Sequence, residues 1–278
     1  MIANVLTIAG SDSGGGAGIQ ADLKTFSALG TYGASVITAL TAQNTRSVTA
    51  IHDVPADFVG AQLDAVFDDI RIDAVKVGML SRPETIAVVA ERLERYRANR
   101  IVVDPVMITK SGDRLLQPDA VAALRERLLP LATLITPNLP EAGVLLDAKP
   151  PVDEAGMLEA AAALRALGRG AVLLKGGHLA GDESIDVFAD GADGNKGGAP
   201  EILRARRIAT RNTHGTGCTL SAAIAALLGR GLSLRSAVER AKTFVTAAIQ
   251  ASDQLSVGKG HGPVQHFHAL WDEETTAG

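Results

Sequence analysis

The stretch Thr213-His214-Gly215-Thr216-Gly217-Cys218-Thr219 stands directly before an apolar run, residues 220–228, that ends at a glycine. The run has almost no polar face, which predicts a buried helix with the quoted stretch as its first turn. Two alternate glycines leave backbone N–H groups open to an approaching anion. The stretch therefore predicts a phosphate pocket that faces the interior, although an ordinary glycine-rich loop before a core helix accounts for it equally well.

Short apolar runs recur ahead of this stretch, and none of them alternates polar with apolar residues. They lie at residues 5–9, 34–42, 74–77, 101–103, 134–135 and 171–174. Continuous Val, Ile, Leu and Ala favour strands covered on both faces, as in a parallel sheet. Helix-like segments separate the runs, at residues 18–29, 55–69, 83–97, 118–128 and 153–167. This alternation predicts an α/β fold with a mostly parallel central sheet and helices on both faces.

The pattern changes after Lys175. Residues 185–189 and 202–208 predict two further strands, and the segment between them is too rich in Gly and Asp to be regular. We expect these two strands to form an antiparallel pair at one edge of the sheet. A last long helix is expected over residues 234–251. No strong linker interrupts residues 1–278, which favours a single domain.

Composition narrows the class of protein. The sequence is 46% hydrophobic and 21% charged, which supplies a sizeable core and excludes disorder. A net charge of −4 without a basic cluster, and an aromatic fraction of 3%, argue against nucleic acid as a partner. Cys218 is the only cysteine, so no internal disulfide can form. The N-terminus lacks signal-peptide features and no apolar stretch is long enough to span a bilayer, so we expect a cytoplasmic protein without membrane contact.

Polar or conformationally special residues follow each predicted strand of the parallel set. Gln43, Asp104 and Lys175 each come directly after an apolar run, and Glu141 lies three residues beyond Asn138. In open α/β sheets the carboxyl ends of the strands meet at one edge, where ligands bind. Loops are polar in general, but this explains Ser and Gly better than it explains these isolated side chains. We therefore expect a binding site at this edge.

The common nucleotide-binding motifs are absent from the sequence. No G-x-x-x-x-G-K-[ST] occurs, and neither residues 215–220 nor the glycine-rich segment 14–18 fits the dinucleotide motif. Cys218 falls in the first turn of the predicted helix, where the helix dipole favours a thiolate, although a lone cysteine is more commonly buried and inert. A catalytic pair of Cys218 with His214 is conceivable, but no orienting Asn or Asp is identifiable.

Three charged residues at this edge suit phosphate chemistry. Asp104 follows a buried strand and precedes a proline, and its carboxylate can hold Mg²⁺ directly or through water. Asn138 and Glu141 face the same side of one helical turn, which suits a second Mg²⁺ contact and equally a capping box. Lys175, beside two glycines, is a natural counter-charge for phosphate, and a solvated surface lysine is the simpler alternative.

These residues lie in segments that resemble the hydroxymethylpyrimidine/phosphomethylpyrimidine kinase family of thiamine biosynthesis, within the ribokinase-like superfamily. The superfamily has a G-[AT]-G-D turn, and Cys218 takes the place of that Asp, which narrows the match to the pyrimidine kinases and a related group of pyridoxal kinases. The resemblance spans nearly the whole chain in order. The matching segments are residues 10–22, 41–45, 76–80, 103–107, 136–142, 174–178, 212–221 and 258–264.

The resemblance implies a ribokinase-like fold, a homodimer and two successive reactions. ATP phosphorylates the hydroxymethyl group of 4-amino-5-hydroxymethyl-2-methylpyrimidine, and the same site then converts the monophosphate to the diphosphate. The pyrimidine would contact Gly10, Asp22, Gln43, Met79 and Val106. The catalytic anion hole would be formed by Gly215, Gly217 and Cys218. The nucleotide would contact Lys175, Thr213 and Thr216, and Mg²⁺ would be held by Asp104 and Glu141.

The resemblance also implies that Cys218 stands at the attacking hydroxyl and takes its proton late. Because phosphoryl transfer depends mostly on positioning and charge stabilisation, an unusual base is tolerable. Two alternatives remain open at this point. One is a pyridoxal or pyridoxine kinase of the same fold, and the other is a sensor that binds the pyrimidine without transferring phosphate. A pure binder has no need of Asp104, Glu141 and Lys175 beside an anion-binding turn, which argues against the sensor.

Overall fold

The computed structural model describes residues 1–107, 116–117, 119–168, 170–177, 179, 181–191 and 198–271. Across these residues the chain forms a nine-stranded sheet with the order β3-β2-β1-β4-β5-β6-β7-β8-β9. The six strands from β2 to β7 in this order pair in parallel, whereas β3 at one edge and β8 and β9 at the other are antiparallel. The strands are β1 (Asn4–Asp12), β2 (Tyr32–Gln43), β3 (Val48–Asp53), β4 (Ala74–Val77), β5 (Ile101–Val103), β6 (Leu134–Ile135), β7 (Ala171–Lys175), β8 (Glu183–Ala189) and β9 (Glu201–Arg206).

Eight α-helices connect and cover these strands within the described ranges. They are α1 (Gly18–Ala28), α2 (Ala56–Asp69), α3 (Pro83–Arg95), α4 (Ala120–Ala123), α5 (Leu139–Leu146), α6 (Glu154–Arg165), α7 (Thr216–Gly229) and α8 (Leu234–Gln250). Helix α4 continues into a π-helical turn, Leu124–Leu128, and a 3-10 turn, Leu129–Leu131. No helix in the described part of the chain combines the length and apolar character needed to cross a bilayer.

Alternate residues of the central strands point into two separate cores. Val75 and Val103 belong to the core beneath α2, α3, α5 and α6, whereas Ala74 and Val102 belong to the core beneath α1, α7 and α8. A strand whose two faces both lie in a core needs apolar residues at every position, since successive side chains point to opposite faces. The expected doubly covered, mostly parallel sheet is therefore confirmed, and so is the antiparallel pair of β8 and β9.

The structure corrects several element bounds. Strand β3 was not predicted, because its side chains are mostly exposed at the sheet edge and carry no burial pattern. Helix α5 was considered only as a capped turn and extends for eight residues. Residues 124–128, predicted as regular helix, widen into a π-helical turn. Residue 118, the predicted start of that helix, and residues 192–197 of the loop between β8 and β9 lie outside the described residues.

Candidate active site

A cleft of about 850 Å³ opens at the carboxyl ends of the parallel strands. The strand ends, the glycine-rich turn after β1 and the first turn of α7 all contribute to its wall. This is the edge at which the sequence predicted a site. Twelve of the predicted site residues line the cleft: Gly10, Gln43, Met79, Asp104, Val106, Glu141, Lys175, Thr213, Gly215, Thr216, Gly217 and Cys218.

Glycines shape the first turn of α7. Gly215 precedes the helix with φ +78°, and a side chain there would also collide with the carbonyl oxygen of Gly16. A Cβ on Gly217 would lie 3.2 Å from Lys175 Nζ. The rest of the helix is buried from Thr219 to Leu228, as the apolar run predicted. A buried helix thus directs the N–H groups of its first turn at the cleft, next to a lysine.

Lys175 and Asp104 form the charged centre of this end of the cleft. Lys175 Nζ lies 2.7 Å from Asp104 Oδ1, which also accepts a hydrogen bond from Thr136. Asp104 Oδ2 accepts a 3.3 Å hydrogen bond from Ser221 on α7. Burial alone would raise the pKa of Asp104, but the neighbouring ammonium of Lys175 holds it below its usual value. The carboxylate is therefore ionised at neutral pH, and Lys175 is not the solvated surface residue of the simpler alternative.

Glu141 forms the capping box that was one of its two interpretations from the sequence. Its backbone N–H donates to the side chain of Asn138, and its carboxylate accepts from the Asn138 backbone N–H at 2.8 Å, which completes a capping box. Burial, opposed by Lys175 and reinforced by Asp104, raises the pKa of Glu141 to about 7. Carboxylate oxygens suit Mg²⁺, which proteins usually hold through one or two carboxylates together with water and phosphate. Asp104 and Glu141 therefore fit as the donors of such a site.

Cys218 lies in the first turn of α7 and is partly exposed to the cleft. Burial by the surrounding protein raises the pKa of its thiol to about 11, although the ammonium of Lys76 opposes this shift. Burial of the thiol outweighs the nearby ammonium, so the shift is opposite in direction to the thiolate that the helix position favoured. At neutral pH the residue is a thiol.

Another part of the cleft has an apolar lining. Met79 and Val106 line it, and a Cβ on Gly10 would lie 3.1 Å from the sulfur of Met79. Gly10 thus leaves the space that the Met79 side chain occupies. Thr38 donates to the carbonyl oxygen of Met79, which fixes that residue at the end of β4. Gln43 is the amide group in this part of the cleft.

Asp22 is the exception among the predicted site residues. Its side chain is fully buried beneath the cleft, does not line it, and forms a 2.8 Å ion pair with Lys76. Thr7 donates to the same oxygen, Oδ2, at 2.6 Å. In this structure Asp22 therefore supports the floor of the cleft, and the expectation that it lines the pyrimidine pocket is corrected. The physical reason is its position on the inner face of α1, against β1 and β4.

Lys76 and Asp12 were missed as functional candidates, and His214 was considered only as a partner of Cys218. Lys76 lines the floor, and a lysine inside an otherwise apolar strand was a usable signal, since buried charges need partners. Asp12 and His214 also line the cleft, and His214 Nε2 lies 2.8 Å from Asp12 Oδ2. His214 is thus oriented by an Asp after all. Its described hydrogen bonds involve Asp12 and Gln43 rather than Cys218, so the Cys–His pair has no support.

The fold and the site together define a small-molecule phosphotransferase, because a lysine, two carboxylates and an anion-binding turn adjoin a cleft that suits an uncharged ring. The family model described as phosphomethylpyrimidine kinase matches residues 12–265, and the chain belongs to that family. A relative from Rhizobium meliloti, a hydroxymethylpyrimidine/phosphomethylpyrimidine kinase, is 59% identical over 98% of this chain and 100% of its own length.

Two solved structures agree with the fold. A phosphomethylpyrimidine kinase from Clostridium difficile is 45% identical, covering 90% of this chain and 100% of its own, with a TM-score of 0.77. A pyridoxal kinase from Bacillus subtilis in complex with ADP is 38% identical, covering 98% of this chain and 100% of its own, with a TM-score of 0.88. The ribokinase-like fold expected from the resemblance is therefore confirmed, and both kinds of kinase share it.

Proposed function

We propose that the chain transfers the γ-phosphoryl group of ATP to the hydroxymethyl group of 4-amino-5-hydroxymethyl-2-methylpyrimidine, and then to the resulting monophosphate, for thiamine biosynthesis. The observation that carries the proposal is one continuous cleft, lined both by Gln43 and Met79 and by Lys175 and the α7 turn. A ring held beside Gln43 and Met79 would present its hydroxymethyl group to Lys175 and the turn. Release of ADP with each substrate, measured in a coupled assay, tests the proposal, and no turnover of either pyrimidine would refute it.

The proposed transfer uses positioning and charge rather than covalent chemistry. Lys175 and the N–H groups of Gly217 and Cys218 bind the oxygens of the transferred group, where negative charge is greatest. The hydroxymethyl oxygen forms a bond to phosphorus as the bond to the ADP oxygen breaks, and the hydroxyl proton leaves the oxygen late in the step. Thr213 and Thr216 contact the nucleotide. Mg²⁺ held by Asp104 and Glu141 would supply charge neutralisation at the phosphates.

Cys218 is proposed as the residue at the attacking hydroxyl. Burial raises the pKa of its thiol, and the ammonium of Lys76 is the cation that favours the thiolate form that a base requires. The variant Cys218→Ala tests the base role. If Cys218 is the base, kcat falls by about 10² or more. Turnover near that of the wild type would leave the residue no role as a base.

Gln43 is proposed to recognise the ring through its paired amide donor and acceptor. The variant Gln43→Leu removes both groups and keeps a side chain of similar size. We expect weaker binding of the pyrimidine with unchanged binding of ATP, measured by calorimetry. If this variant lost affinity for ATP, the proposal that Gln43 contacts the pyrimidine rather than the nucleotide would be contradicted.

Four further features are part of the proposal. We infer that Mg²⁺ is required, that residues 1–278 form one domain, that the chain is a homodimer and that it acts in the cytoplasm. The resemblance supports the dimer. Light scattering during gel filtration tests the dimer, and titration of activity with Mg²⁺ after chelation tests the metal.

A second function is a pyridoxal or pyridoxine kinase, favoured by the similarity to the Bacillus subtilis structure. The relative named for the pyrimidine reactions is more similar in sequence, at 59% against 38% identity. The two functions differ in the ring alcohol that is turned over. Comparison of kcat/KM for the pyrimidine and for pyridoxal in the same ADP-release assay separates them.

A further inference from the structure

The loop between β7 and β8 forms part of the cleft wall. It begins after Lys175 and contains glycines at positions 176, 177 and 181, the last with φ +114°. Lys175 and Gly177 both line the cleft. Because glycine loses more backbone freedom on folding than any other residue, a loop of this composition needs contacts from elsewhere to hold one shape.

Arg207, which directly follows β9, supplies such contacts. Its guanidinium donates hydrogen bonds of 2.6–3.1 Å to four backbone carbonyl oxygens of the loop and of β8. The four carbonyls belong to Gly177, Leu179, Gly181 and Glu183. The backbone N–H of Arg207 donates to a fifth carbonyl, that of Asp182, at 2.8 Å. One residue therefore ties the start of the loop to its end.

These carbonyls leave the positive charge of Arg207 uncancelled, because each is a neutral dipole. Arg204, three residues earlier, has the opposite surroundings, since its guanidinium pairs with the carboxylates of Glu154 and Glu183 at 2.7 and 2.8 Å. Arg207 lines the cleft, whereas Arg204 lies outside it. A net positive charge in the wall of a cleft attracts an anionic ligand.

The same part of the wall is held from a second side. The backbone N–H of Gly176 donates to Asp186 Oδ1 at 3.1 Å, and Asp186 Oδ2 pairs with Lys242 Nζ at 2.6 Å. The backbone directly after Lys175 is thus held by Asp186 at residue 176 and by Arg207 at residue 177. A displacement of this backbone would also displace Lys175, the proposed phosphate contact.

We propose that Arg207 is a positioning residue for the nucleotide, which holds the β7–β8 loop in place beside Lys175 and adds positive charge to the wall that the triphosphate faces. The inference rests on the proposed function, in which the phosphates of ATP lie at Lys175. Arg207 acts through the loop carbonyls and through its charge. Its loss should therefore weaken the binding of ATP and leave the binding of the pyrimidine beside Gln43 and Met79 unchanged.

The test compares the dissociation constants of ATP and of the pyrimidine, both measured by calorimetry. Arg207→Ala removes the donors and the charge, and we expect its Kd for ATP to rise about tenfold, with an unchanged Kd for the pyrimidine. Arg207→Lys keeps the charge but cannot reach four carbonyls, so its Kd for ATP should lie between the two. Arg204→Ala is the matched control, because it removes an arginine from outside the cleft, and it should bind ATP as the wild type does.

Guanidinium ions separate this role from general damage to the fold. At millimolar concentration they can occupy the space left in Arg207→Ala and donate to the same carbonyls, so we expect them to restore part of its affinity for ATP and to leave Arg204→Ala unaffected. Wild-type affinity for ATP in Arg207→Ala would overturn the inference, and so would an equal loss for both ligands that guanidinium does not reverse. If the wild type bound ATP but turned over neither pyrimidine, the proposed function would fail while the calorimetric comparison still decided the role of Arg207.

Discussion

Two lysine–aspartate pairs lie on either side of the α7 turn, and they differ in their access to the cleft. Lys76 and Asp22 are 2.8 Å apart with both side chains fully buried. Lys175 and Asp104 are 2.7 Å apart, with the lysine side chain 14% exposed. Each aspartate also accepts a hydrogen bond from a buried threonine. We call the first the sealed pair and the second the open pair.

The difference lies in the surroundings of each pair. The sealed pair is enclosed by protein, with Cys218 and Asp104 as further neighbours of Lys76, and Oδ1 of Asp22 is buried without a hydrogen-bond partner among the described residues. The open pair adjoins Glu141 and Gly217, where a ligand phosphate is expected. Burial alone would lower the pKa of Lys175, but the carboxylates of Asp104 and Glu141 raise it. The same chemical pair therefore supports the fold in one place and offers charge to a substrate in the other.

The largest expected effect is on catalysis at the open pair. Lys175→Met removes the cation that stabilises the transferred phosphoryl group, and we expect kcat/KM to fall about 10³-fold. Lys76→Met is the matched variant at the sealed pair, and its activity per folded molecule should fall less, because Lys76 acts on the reaction only through the Cys218 thiol. Steady-state kinetics on both purified variants make the measurement. Equal losses in the two variants would erase the distinction between the pairs.

For stability the order should be reversed, with the larger loss in Lys76→Met than in Lys175→Met. Lys76→Met leaves the Asp22 carboxylate buried without its counter-charge, so we expect the free energy of unfolding to fall by about 3–5 kcal/mol. The double variant Lys76→Met/Asp22→Asn removes both charges and should recover at least half of the loss. Urea denaturation of the wild type and both variants provides the values. A double variant no more stable than Lys76→Met would show that the loss comes from packing.

Much of the fold can be predicted from the sequence, because a strand that is buried on both faces needs an unbroken run of apolar residues. Strands β4, β5 and β6 have the bounds that the runs predicted. Strand β3 could not be found in this way, since an exposed edge strand has no such run. The charged residues at the strand ends were also predictable, because parallel strands bring their carboxyl ends to one edge.

What the sequence could not supply were pairings across long separations and the extent of burial. Asp22 and Lys76 are 54 residues apart, and Asp12 and His214 are 202 apart, so neither partner is visible from local pattern. The protonation of Cys218 depends on how much protein surrounds it, which the helix position alone does not determine. These are consequences of tertiary packing.

Glu141 lies beside the open pair and should make the stability of the folded protein depend on pH. The pKa of Glu141 is raised from 4.5 to about 7, so the folded protein holds this proton more tightly than the unfolded chain. The resulting stabilisation is complete below pH 4.5 and is lost as the pH rises through 7. Relative to Glu141→Gln, we expect the wild type to lose about 2–3 kcal/mol of unfolding free energy between pH 5 and pH 8. Denaturation of both proteins without divalent metal measures this difference. If the unfolding free energies of the wild type and of Glu141→Gln changed with pH in parallel, the prediction would be contradicted.

The smallest and most closely matched test uses the two threonines. Thr7 donates to Asp22 at 2.6 Å and Thr136 donates to Asp104 at 3.1 Å, and both threonines are fully buried. Thr7→Val should lower the free energy of unfolding by about 2 kcal/mol and leave kcat nearly unchanged, because hydrogen bonds to charged groups are strong and Asp22 lies beneath the cleft rather than in its wall.

Thr136→Val should cost less stability, about 1 kcal/mol, because Asp104 keeps Lys175 and Ser221 as partners. The same variant should lower kcat by about threefold, since Asp104 then holds Lys175 less rigidly. Denaturation and steady-state kinetics on both valine variants give the change in unfolding free energy and the change in kcat for each. If Thr7→Val lowered kcat as much as Thr136→Val does, the hydrogen bond from Thr7 to Asp22 would matter to the reaction as much as the one from Thr136 to Asp104.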